Sequence, residues 1–103
     1  MTERININPN FWGPHAWFFI DNVAFSYPKN PSSYHKELFK KFFLTIGNII
    51  PCYSCRIHFK ENLKRIPLTN KILSNRTKFI EWVFEFHNIV RKSQGKNKRT
   101  YSQ

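Results

Sequence analysis

The chain has 103 residues, a length that predicts one domain with one core. Aromatic residues make up 17% of it, including eleven Phe and three Trp, so the expected core is densely ringed or wraps a flat cofactor. With three Gly and no Gly-x-Gly-x-x-Gly or Walker pattern, a Rossmann or P-loop nucleotide site is excluded; the formal charge of +11, from 17 basic and 6 acidic residues, implies attraction to anions or a solvated basic surface.

Residues 1–10 are polar and read as an N-terminal arm. They lack the apolar stretch of a signal peptide, and no run in the chain approaches the ~20 apolar residues of a membrane span. The expectation is a soluble protein that is not secreted by the usual route. From Phe11 to Phe25 apolar residues recur at helical spacing: Trp17, Ile20 and Ala24 share a face, and Val23 extends it. Pro14 suits a first turn, which predicts a start near Gly13, and Pro28 stops the helix. Residues 27–33 compose a turn, and Ser32 or Ser33 can cap a second helix running to about Ile50. Its expected buried stripe is Leu38, Phe42, Thr45 or Ile46, and Ile49. Pro51 ends that helix or starts the next. A third is predicted from Cys52 to about Leu63, packed through Ile57, Phe59 and Leu63, with a break from Ile66 to Asn70. The last strong helix spans about Thr77 to Lys92 on the stripe Phe79, Trp82, Val83, Phe86 and Val90. Residues 97–103 are a basic tail. No alternating strand pattern is present, so the expected fold class is all-α, a compact bundle of four to five helices.

The two cysteines, Cys52 and Cys55, are too few for a disulfide-stapled scaffold. Spaced by two residues in a chain without a secretion signal, they read as redox-active or metal-binding. At a helix N-terminus the free N–H groups stabilise a thiolate, and both sulfurs lie within disulfide reach. His58 extends the pattern to Cys-x-x-Cys-x-x-His, a zinc half-site for which His87 is a candidate fourth ligand. Trp12-Gly13-Pro14-His15-Ala16-Trp17 reads either as a helix start with two core tryptophans or as flat walls for a ring system. In the last helix Trp82 fits the core stripe. His87 reads first as a half-buried histidine, but with Asn88 beside it the two form a donor–acceptor pair able to grip a polar ring edge.

In order and spacing these pieces resemble the FAD-linked sulfhydryl oxidases of the Erv/ALR type. The matching residues are Trp12-Gly13-x-x-x-Trp17, Ala24-x-x-Tyr27-Pro28, Pro51-Cys52-x-x-Cys55-x-x-His58, Trp82-x-x-x-x-His87-Asn88-x-Val90 and Gly95-Lys96. They span residues 11–96, the expected domain. The resemblance implies a helical bundle with FAD at its mouth, the Cys-x-x-Cys at the start of the third helix, and a homodimer. It implies that Trp12, Gly13, Trp17 and Tyr27 line the FAD from the first helix. His58 belongs to the same cofactor-binding set. Trp82, His87 and Asn88 contact the FAD from the last helix, and Lys96 sits near its phosphates. Three departures are specific to this chain. Asp21 stands where the family commonly has His; Arg91 replaces a usual Asn and is placed toward the pyrophosphate; Phe84 occupies the position of an expected cysteine. Lacking the extra disulfide and the shuttle pair of cellular members, the chain looks most like the small enzymes of large cytoplasmic DNA viruses.

The activity so implied is oxidation of protein dithiols to disulfides, with electrons passing through Cys52–Cys55 and FAD to O2 to give H2O2. Cys52 is implied to exchange with substrate and Cys55 to face the flavin, as the less exposed residue of the first turn. The next thiol in the relay is then a protein dithiol partner, a small thioredoxin-like carrier that the basic surface would favour if acidic. No membrane and no nucleic acid are expected among the partners. The implied location is host cytoplasm or virion for a viral protein, and otherwise an intracellular soluble compartment. Two rival readings remain at this point. One is a zinc module built on Cys52, Cys55, His58 and His87 that binds nucleic acid through Lys98 and Arg99. The other is an FAD-fold interaction module without turnover.

Overall fold

Asn8 opens the first helix: its extended backbone leaves the side-chain oxygen free to accept the Asn10 N–H at 2.8 Å, with Pro9 next in the chain. The structure, a computed structural model, describes residues 8–93. Gly95, Lys96 and the basic tail lie outside the described residues. Five helices follow in order: α1 Pro9–Phe25, α2 Ser33–Ile49, α3 Tyr53–Arg65, α4 Asn70–Leu73 and α5 Arg76–Ser93. Helix α1 therefore starts four residues before the expected Gly13. Asn8 with Pro9 is the stronger start signal, a polar cap followed by a proline whose missing N–H costs nothing there. Pro14 sits inside the helix, where it withholds one hydrogen bond from the Asn10 carbonyl.

The other caps follow the chemistry of the turn residues. Ser32 accepts the His35 N–H at 3.2 Å, and the His35 ring accepts the Ser32 N–H in return at 3.3 Å. Thr69 caps α4, and Asn75 accepts from Lys78 ahead of α5. Helix α1 packs against α5, α2 against α3, and α4 bridges α5 and α2. Arg76 ties the start of α5 to the end of α1 by donating to the Phe25 carbonyl at 2.8 Å.

The core is aromatic. Tyr27, Phe43, Phe79 and Phe86 are fully buried, and Trp82 nearly so. Phe43 meets Trp82 edge-on at 5.3 Å, and Phe59 meets Phe86 at 4.6 Å. Each such ring contributes about 1.5–3 kcal/mol through burial alone. The stripe of α2 follows expectation at Phe42 and Ile46, which pack against the core, and differs elsewhere. Phe43 and Gly47 are the buried residues, with Phe39 and Ile46 packed beside them, while Leu38 and Ile49 face outward. Apolar residues occur on several faces of this helix, so periodicity alone does not choose among them. The choice is made by α3: Gly47 lets the Phe59 ring approach so closely that a Cβ there would meet it at 2.8 Å. Among the described residues no helix is long and apolar enough to cross a membrane.

Candidate active site

Helix α3 positions the dithiol. Cys52 is its N-cap, extended at φ −161°, and its sulfur accepts the Cys55 N–H at 3.2 Å. Cys52 and Cys55 are joined as a disulfide with a Cα separation of 5.1 Å, inside the usual range. The Ser54 hydroxyl lies 3.4 Å from the Cys52 sulfur. The first turn of α3 holds no acidic residue, so nothing there opposes the positive end of the helix dipole. Arg56 adds a fixed cation one residue beyond Cys55. It donates to the Ile50 carbonyl at 2.6 Å, which also accepts the Cys52 N–H at 2.8 Å. That carbonyl anchors the loop carrying Cys52 to the helix carrying Cys55.

A cavity of about 280 Å³ opens on the inner side of α3. Helix α1 contributes Trp12, Gly13, Ala16, Trp17 and Ile20 to its wall. From α3 come Cys55, His58, Phe59 and Asn62, at positions i, i+3, i+4 and i+7 of one face. The end of α2 adds Ile46, and α5 adds Val90 and Ser93. Cys52 is not part of this wall, although both cysteines are half-buried. What separates the two cysteines is which one borders the cavity.

The sequence-predicted residues divide into three groups. Trp12, Gly13, Trp17, Cys55 and His58 come together around the cavity. His87 lies just behind it, buried and stacked on Trp17 at 4.1 Å with the planes 6° apart; Asn88 and Arg91 are half-buried further along α5, each with an interaction partner. Tyr27 and Trp82 are not brought there. The Tyr27 hydroxyl donates to the Leu73 carbonyl at 2.6 Å and its ring packs on Phe79; the Trp82 ring nitrogen donates to the Ile66 carbonyl at 2.8 Å. Burial pushes the Tyr27 phenol above its ordinary value. Asn62 is a buried polar residue on the wall that sequence reasoning missed. Its spacing of seven from Cys55, two turns along the same face, was the available signal. The zinc reading needs Cys52, Cys55, His58 and His87 to converge. Among the described residues no group of three or more His, Cys, Asp or Glu does so.

The cavity fits a flat ring system such as the flavin ring of FAD. Two indole rings border it, and a sulfur-bearing residue stands on its wall. Gly13 is buried, yet a Cβ built on it would meet nothing within 4 Å, so its bare backbone faces open space that a side chain would fill. At about 280 Å³ the cavity is at the small end for a ligand site, sized for a ring system whose tail lies outside.

The chain matches the Erv1 / Alr family over residues 14–103. A probable FAD-linked sulfhydryl oxidase of Acanthamoeba polyphaga mimivirus is 35% identical over 97 residues, covering 94% of this chain and 68% of the relative. A putative FAD-linked sulfhydryl oxidase of Invertebrate iridescent virus 6 is 33% identical, covering 88% of this chain and 86% of the relative. The crystal structure of the yeast Erv1 core superposes with a TM-score of 0.84 at 24% identity, over 99% of this chain and 84% of that one, and so shares the fold. With a dithiol at a helix start beside an aromatic cavity, and with nearly the whole chain matched, this protein belongs to the Erv1/Alr family of FAD-linked sulfhydryl oxidases.

Proposed function

We propose that the chain oxidises cysteine pairs of a protein substrate, with Cys52 as the residue that exchanges with substrate and Cys55 as the one that faces FAD. The observation that carries the assignment is the position of the two cysteines: Cys55 stands on the cavity wall and Cys52 does not. FAD, when bound, supplies the acceptor for the electron pair of the reduced dithiol and its delivery to O2, giving H2O2. The rest is protein chemistry. A substrate thiolate attacks the Cys52 sulfur; a new S–S bond forms and the Cys52–Cys55 bond breaks. The Cys55 thiolate leaves into the field of the α3 N-terminus, which stabilises it. The second substrate thiolate then attacks the substrate sulfur of the mixed disulfide, releasing oxidised substrate and a Cys52 thiolate. That thiolate keeps the N–H bond that Cys55 already donates. Two electrons now reside on the Cys52–Cys55 pair. Trp12, Gly13 and Trp17 on α1 and His58 on α3 would hold the ring system against Cys55, and His87 would brace it from behind. Asn88, Arg91 and Lys96 are assigned to the rest of the cofactor, the two cations toward its phosphates.

The substrate we propose is a small acidic carrier of the thioredoxin kind. Helix α3 supports this with its outer face. Tyr53 and Ile57, one turn apart, are 73% and 40% exposed beside Cys52, and Arg56, Lys60 and Lys64 surround them. A homodimer is supported by the exposed Phe side chains of α1. The viral relatives support a location in host cytoplasm or virion.

The purified protein is expected to carry a flavin absorbance that bleaches with reduced dithiol under nitrogen and returns in air. Cys52→Ser is expected to keep the flavin and lose turnover on the order of 100-fold or more, because it removes the sulfur that the substrate thiolate attacks. Dithiol oxidation at the wild-type rate by that variant would sink the assignment.

A further inference from the structure

Asp21 is the one position where an acidic residue enters the aromatic layer between α1 and α5, and no step above uses it. Its Oδ2 lies 3.3 Å from Nδ1 of His87, with 17% and 9% of the two side chains exposed. Among the described residues its other oxygen, Oδ1, is buried without a hydrogen-bond partner. The His87 ring lies flat on Trp17, at 4.1 Å and 6°. Trp17 and Ile20, which precede Asp21 on α1, both line the cavity. The layers therefore run from carboxylate to imidazole to indole to cavity.

Leaving a carboxylate oxygen buried and unmatched costs stability, of order 1–3 kcal/mol. An imidazole rotates easily about its outer torsion, so a near-parallel stack needs a second point that fixes the ring plane. The Asp21 carboxylate is that point. At 3.3 Å the carboxylate is within reach of a proton on Nδ1, and an acceptor there favours the Nδ1–H form, with Nε2 on the opposite edge. We propose that Asp21 is a positioning residue of the FAD site: it holds His87 as the Nδ1–H form flat against Trp17, and so sets the aromatic wall against which the cofactor lies. The proposal rests on the flavin reading given above. Position 21, where the resemblance leads one to expect histidine, thereby gains a role specific to this chain.

The test uses the full chain stripped of FAD and its Asp21→Leu and Asp21→Asn variants. Nitrogen-15 shifts of His87 report which ring nitrogen carries the proton, and titration with FAD gives the dissociation constant. Wild type is expected in the Nδ1–H form. Asp21→Leu, which has no acceptor, is expected to lose that form and to bind FAD at least about tenfold more weakly, the equivalent of ~1.4 kcal/mol. Asp21→Asn retains an acceptor oxygen and is expected to keep both the tautomer and most of the affinity. A purely structural ion pair predicts instead that the two variants lose thermal stability alike with FAD affinity unchanged. Wild-type His87 in the Nε2–H form overturns the proposal without any variant, as does an Asp21→Leu protein with FAD affinity within about twofold of wild type. A wild-type protein that binds no FAD overturns the flavin reading itself. FAD binding that is indifferent to Asp21→Leu overturns only the role of Asp21.

Discussion

Gly13 is a buried helical residue whose missing side chain faces open space. A glycine inside a helix costs roughly 0.5–1 kcal/mol against alanine, so a purely structural α1 would do better without it. Gly13→Ala is accordingly expected to stabilise the FAD-free protein by about that amount while weakening FAD binding, and Gly13→Leu to prevent binding. Thermal unfolding of the FAD-free protein together with FAD titration checks both; a Gly13→Leu protein that binds FAD like wild type refutes the packing argument. Tyr27 is a motif residue whose contacts are with the core: its hydroxyl donates to the Leu73 carbonyl and its ring packs on Phe79. Its phenol is raised by burial, so the folded state holds the proton more tightly than the unfolded chain. The stability this gives is complete below the ordinary tyrosine value of 10.0 and is lost as pH rises through the raised one. Tyr27→Phe is expected to cost about 1–3 kcal/mol at neutral pH, because the Leu73 carbonyl loses its donor, and to flatten the alkaline decline. Urea unfolding at neutral and alkaline pH decides it; equal alkaline losses in the two proteins would count against the claim.

At the scale of elements, α3 divides the chemistry between two faces. Cys55, His58, Phe59 and Asn62 meet the cavity, whereas Tyr53 and Ile57 face solvent. Cys52, at the cap, lies at the boundary. If the proposed function holds, substrate docking and cofactor contact fall on these different faces and are expected to respond to different substitutions. Ile57→Ser with Lys60→Glu is expected to lower kcat/KM for an acidic Cys-x-x-Cys peptide by about tenfold, roughly the loss of one apolar contact and one favourable charge, and to leave oxidation of dithiothreitol unchanged. Equal losses on both substrates would mean that the variant has disturbed the dithiol rather than the docking face. The helices themselves were legible from sequence wherever caps and stripes agreed, as in α5, where Phe79, Trp82, Val83 and Phe86 are all buried. They were less legible where they did not: α2 offered several apolar faces, and α1 two proline start signals.

For the whole molecule, the outward side of α1 raises the question of assembly. Phe11, Phe18 and Phe25 recur every seven residues on one side of the helix and are 57%, 74% and 45% exposed, with Phe19 at 60% beside them. Large rings in such a row favour association. The charge of +11 works against it, but only through surface repulsion that salt screens. The protein is expected to sediment as a dimer and Phe18→Asp as a monomer. A wild-type protein that sediments as a monomer at micromolar concentration would end the dimer proposal.

The sequence by itself determined the helical class and the dithiol at the start of the third helix. These depend on local spacing, on caps and on residue chemistry, all of which act over one or two helical turns. Tertiary structure alone decided which member of each motif borders the cavity and which packs in the core. Tyr27 and Trp82 carry the motif spacing, but their polar tips are taken by the carbonyls of Leu73 and Ile66. Asn62 had no motif, yet α3 places it on the cavity wall two turns beyond Cys55. The meeting of Asp21 with His87, 66 residues apart in the chain, follows from the packing of α1 on α5. No pattern of local spacing encodes that contact, because it depends on how two distant helices lie against each other.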